Sequence, residues 1–86
     1  MNTSLRASDW KAFSQKVEDH IENYTVPQYG DRGKDIASEY SREHCLAQVK
    51  KYLARAGRNS RPEQDNLDLI KMAHYLQMAH DAPTND

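Results

Sequence analysis

Two helix-spaced apolar lines joined by a short turn constrain this chain most, and they occupy the stretch from Glu43 to Ala79. Cys45, Leu46, Val49, Tyr52, Leu53 and Ala56 recur at steps that keep them on one stripe of a helix. Leu69, Met72, Ala73, Leu76 and Ala79 make a second stripe, widened by Leu67, Ile70 and Met78. Ser41 is suited to cap the first helix, with Glu43 in its first turn. Arg55 and then Gly57 are suited to end it, one as a positive charge at the negative helix end, the other as a left-handed cap. After Gly57-Arg58-Asn59-Ser60, the run Ser60-Arg61-Pro62-Glu63 has capping-box spacing with a proline in the first turn, so a second helix is expected to begin there. A link this short folds the two helices back on each other. The breadth of the second stripe predicts more than one neighbour, at the centre of a bundle or at a subunit contact.

Upstream, Ser8 is read as an N-cap ahead of Trp10, Phe13, Val17, Ile21 and Tyr24, which follow at helical spacing. Pro27, Gly30 and Gly33 then break the pattern. The expected architecture is all-α: one domain over residues 1–86, with helices near 9–24, 42–56 and 61–80. The last two form an antiparallel hairpin, and a loop fills 25–40. Residues 1–7 carry no pattern.

At 86 residues, with 37% apolar side chains, the core is close to the minimum for one domain, which predicts a homo-oligomer. The net charge of −1 gives no general attraction to nucleic acid or to an anionic membrane. No long apolar run or signal-peptide core occurs, so a cytoplasmic protein without membrane association is expected. Cys45 is the one cysteine and lies on the inward stripe, where it reads as a small core residue. His20, His44, His74 and His80 contain no pair at metal-ligand spacing, so neither a metal nor a cofactor is expected. Dinucleotide and P-loop fingerprints are absent.

Basic residues gather near the turn: Lys50, Lys51, Arg55, Arg58 and Arg61. A helix-turn-helix would put the second helix of the hairpin into the major groove, but that helix carries Glu63, Asp65 and Asp68, which argues against specific DNA binding. Glu18 with Glu22, and Asp65 with Asp68, raise an enzymatic alternative. Paired carboxylates on facing helices can hold Mg²⁺ against a triphosphate, as in the all-α nucleotide pyrophosphatases, if all four converge.

Lys51-Tyr52-Leu53-Ala54-Arg55-Ala56-Gly57-Arg58, followed by Asp68-Leu69-Ile70-Lys71-Met72-Ala73-His74-Tyr75-Leu76, resembles a small domain of unknown function common in bacteriophages and prophages. That family's pattern is Lys-Tyr-x-x-Arg-Ala-Gly-Lys/Arg, then Asp-Leu-x-Lys-Ala-x-x-Tyr-Leu. Met72 stands here where alanine is usual. Packing alone does not demand Lys51, Arg55, Lys71 and Tyr75, and with Arg58 these residues are the expected surface for an anionic partner. The resemblance implies a phage-type accessory protein. Because the domain also occurs within a phage nucleotide kinase, it points to a nucleotide or protein partner. The expected function is therefore a non-enzymatic helical interaction module.

Overall fold

A computed structural model describes residues 4–31 and 41–82, and every regular element among them is helical. The chain divides into two units, residues 1–31 and 32–86.

In the first unit, helix α1 spans Leu5–His20. Its N-cap is Ser4, not Ser8. The Ser4 hydroxyl accepts from the Ala7 amide at 3.1 Å, and the Ser8 amide donates to the Ser4 carbonyl at 2.9 Å. Leu5, Arg6 and Ala7 are good helix formers, so the helix extends one turn ahead of its first aromatic residue. Trp10 and Phe13 meet with ring centroids 5.8 Å apart.

The expected loop at 25–40 is helical in its first part. A π-helical turn, Ile21–Thr25, leads directly into α2, Val26–Tyr29. Pro27 is the physical cause. It has no N–H for the carbonyl one turn back, and its ring would strike that carbonyl in a regular helix. The wider turn, in which the Val26 amide reaches the Ile21 carbonyl, accommodates both problems without ending the helix. Gly30, at φ 86°, ends it instead. Tyr24 and Tyr29 are exposed on this helical segment, and residues 32–40 of the expected loop lie outside the described residues.

The second unit is the hairpin. Helix α3 spans Arg42–Ala54 and α4 spans Pro62–Asp81. Ser41 caps α3 by accepting from the His44 amide at 3.1 Å. Gly57, at φ 78°, takes the left-handed position after α3.

The capping box at Ser60 does not form. Arg61 is the N-cap of α4, in extended conformation at φ −117° and ψ 125°, because a residue ahead of proline is driven out of the helical region. Pro62 is then the first helical residue. At the other end the extended Ala82 precedes Pro83 in the sequence and stops α4 in the same way.

Tyr52 pairs with Tyr75 and Arg55 pairs with Asp68, so the register of the hairpin is antiparallel. The seam between its arms is narrow: Cys45, Met72 and Ala79 are the buried apolar residues, and Asp68 is buried with them. Several residues of the expected stripes lie outside it. Leu46, Leu53, Leu69 and Leu76 are 42%, 64%, 50% and 50% exposed. The contact between two helices covers a strip much narrower than the stripe that periodicity marks out.

Candidate functional site

The hairpin turn is built around a buried carboxylate. Asp68, 1% exposed, sits in the first part of α4 with both oxygens engaged. The Arg55 guanidinium donates twice, Nε to Oδ2 at 2.8 Å and Nη2 to Oδ1 at 2.7 Å. Gln64, one turn earlier on α4, donates from its amide to Oδ1 at 3.0 Å. Asn59 uses one amide nitrogen to reach Asp68 Oδ2 at 3.2 Å and Asp65 Oδ1 at 2.6 Å. Asp65 Oδ1 also receives the Gly57 backbone amide at 3.2 Å. The two turn carboxylates therefore gather the end of α3, the link and the start of α4.

These bonds set the protonation of the site. Arg55 beside it, helped by the Gln64 and Asn59 amides, holds the Asp68 carboxyl down at about 2 against the opposing effect of burial. The same pairing pushes the Arg55 guanidinium further up. Burial alone pushes the Cys45 thiol up, as expected for an inert core thiol.

On the outer side of this pair three cations surround one ring. The Arg55 guanidinium lies 4.8 Å from the Tyr52 ring centroid, and the Lys51 and Lys71 ammonium groups lie 5.8 Å from it. Tyr75 stacks with Tyr52, centroids 6.1 Å apart and planes 28° from parallel. All of these fall within cation–π and aromatic contact range. Among the described residues neither Lys51 nor Lys71 has a carboxylate within salt-bridge distance, whereas Arg55 has Asp68.

Four of the five expected site residues, Lys51, Arg55, Lys71 and Tyr75, thus come together. Arg58 does not join them at the ring. It is exposed in the turn, its backbone amide donating to the Arg55 carbonyl at 3.0 Å. Tyr52 is the centre that the sequence reading assigned to packing alone. Its adjacency to Lys51, in a helix expected to pair with the one bearing Tyr75, was the available signal.

Of the four carboxylates of the hydrolase alternative, Asp65 and Asp68 are engaged in the turn as described. Among the described residues no three His, Cys, Asp or Glu side chains are placed to hold a metal ion. A shallow hollow of about 300 Å³ beside the turn is lined by Asn59, Ser60, Arg61 and Gln64. No described helix is long and apolar enough to cross a membrane. Compared with protein families, curated proteins and solved structures, the chain matches none.

Proposed function

We propose that this chain is a small, cytoplasmic, non-enzymatic interaction module of the phage-accessory kind, which self-associates and receives an anionic partner on the Tyr52 face of its hairpin. The convergence of Lys51, Arg55 and Lys71 on one tyrosine ring carries this reading. Arg55 is neutralised by Asp68, so the unbalanced charge is that of the two lysines. Both ammonium groups lie 5.8 Å from the same ring centroid, and an anion placed between them would be attracted by both. Tyr52 and Tyr75, both half-buried, offer an aromatic surface beside the lysines on which the base of a nucleotide can stack. The partner is a phosphate-bearing nucleotide or an acidic protein segment, both of which satisfy the same pair of charges.

Thermal unfolding with and without nucleoside mono- and triphosphates, and with an acidic peptide, tests this. A ligand present at about a hundred times its dissociation constant should stabilise the protein by about 2.7 kcal/mol. The shift should fall with salt and vanish in Lys51→Ala/Lys71→Ala. No shift with any of these anions, or one that the lysine substitutions leave intact, refutes the proposal.

A further inference from the structure

The face of the hairpin opposite the tyrosine site carries four exposed leucines in a two-fold repetitive arrangement. On α3, each residue advances by about 100°, so relative to the inward line of Cys45 and Tyr52, Leu46 and Leu53 turn to one flank while Lys51 and Arg55 turn to the other. On α4, relative to Met72 and Ala79, Leu69 and Leu76 turn to one flank while Lys71 and Tyr75 turn to the other. Because the helices are antiparallel and of the same hand, matching flanks fall on the same side of the hairpin. The gathering of Lys51, Arg55 and Lys71 at the Tyr52 ring agrees with this geometry. All four leucines therefore share the other side.

Register arranges them as two rungs. Leu53 and Leu69 lie level beside the Arg55–Asp68 pair, and Leu46 and Leu76 lie level seven residues further towards the open end, about 10 Å away. We infer that this leucine face is the surface on which a second copy of the chain docks, hairpin against hairpin, leaving a Tyr52 face on each outer side of the dimer. The inference rests on the self-association read above and assigns it a surface.

The identity of the occupant follows from the pattern. A two-fold axis lying in the plane of the face, either along the helices or across them, brings each rung onto a rung of the other copy, so the surface is its own complement. Val49 and Ala73, which lie among the leucines, are uncharged, and the cations of this flank, Arg42 and Lys50 of α3, stand at the end and the outer edge of the face. The size also agrees. Helices of 13 and 20 residues lying side by side present a face of roughly 500 Å² in projection. Two such faces reach about the 1,000 Å² that a specific interface must bury. That places the dimer at the weak end, sensitive to dilution. Its two outward Tyr52 faces would let it bridge two anionic groups.

Sedimentation equilibrium of the full chain over a wide concentration range tests the inference. The expected mass is that of a dimer at high concentration, falling to the monomer on dilution. Leu53→Glu/Leu69→Glu, and separately Leu46→Glu/Leu76→Glu, should remain helical by circular dichroism and stay monomeric at concentrations where the parent is dimeric. Lys51→Ala/Lys71→Ala should remain dimeric. A parent chain that is monomeric throughout overturns both self-association and this surface. A dimer that survives both helical leucine variants overturns the surface alone. If one leucine pair unfolds the protein, the other pair decides.

Discussion

Replacing Asp68 with asparagine keeps the size of the side chain and removes its charge at a position that is 1% exposed. The Arg55 fork then loses its anion. Asparagine also offers an NH₂ group where Asp68 accepts from Arg55, Gln64 and Asn59, so one of those donors faces another donor. Removing one member of a buried pair costs roughly 3–5 kcal/mol. Here the Arg55 side chain is 40% exposed and can turn to water, which puts the cost at or below the low end of that range. Linkage gives a consistent figure. A carboxyl lowered from 3.8 to about 2 contributes about 2.5 kcal/mol at neutral pH. Because the folded value is the depressed one, this contribution is fully present above about pH 5 and is lost as the pH falls from about 4 through 2. Asp68→Asn should therefore lower hairpin stability by about 2.5 kcal/mol at pH 7, or roughly 10–20 °C in melting temperature for a domain of this size. Its deficit against the parent should close towards zero at pH 2. Far-UV circular dichroism and tyrosine fluorescence in a urea series are the assays, because Tyr52 and Tyr75 belong to the hairpin. A deficit below about 0.5 kcal/mol at pH 7, within the range of an ordinary surface substitution, would refute the reasoning. So would a deficit that is unchanged at pH 2.

Two further substitutions and one labelling measurement test other parts of the structure. Gly57→Ala should cost about 1–2 kcal/mol in a urea melt, although its Cβ has open space, because φ is 78°; asparagine there should cost less. Pro27→Ala should convert the π-helical turn to regular helix and stabilise the segment from Leu5 to Tyr29 by ~1–3 kcal/mol, seen as raised helicity on heating. Cys45, fully buried with its thiol pushed up, should react with a disulfide reagent only at the rate at which the hairpin opens; fast native-state labelling would contradict the packing.

The hairpin was legible because its stop and start signals are local. Ser41 and Gly57 act within a few residues of themselves, and both do what their chemistry predicts. The capping box at Ser60 failed for an equally local reason, since Pro62 forces Arg61 to be extended and a two-residue rule outranks a four-residue motif. The start of α1 was missed because nothing in Leu5-Arg6-Ala7 is patterned; propensity and the Ser4 cap suffice without a buried face. Periodicity marks which residues share a side and not how much of that side a single neighbour covers, so Leu46, Leu53, Leu69 and Leu76 belong to the stripes and yet stand exposed beside the seam. At the site, Arg55 and Asp68 were both present in the motif, yet their pairing depends on the register of two helices, a tertiary fact absent from either segment. The amides of Asn59 and Gln64 escaped notice for the same reason.

That pairing decides how the basic face should respond to salt. Counted from sequence, Lys51, Arg55, Arg58 and Lys71 make a fourfold positive edge. Counted from structure, Arg55 is balanced by Asp68, Arg58 stands away from the Tyr52 ring, and two lysines remain. A short single-stranded oligonucleotide used as an anionic probe separates the two counts, because each neutralised phosphate adds about −0.7 to the slope of log K against log salt. Two lysines predict a slope near −1.4, and four free cations predict one near −2.8. Lys51→Ala should halve the shallower slope. A slope near −2.8 would mean that Arg58 reaches the ligand and that Arg55 leaves Asp68 when it arrives, and the binding free energy would then be offset by whatever stability the buried pair supplies.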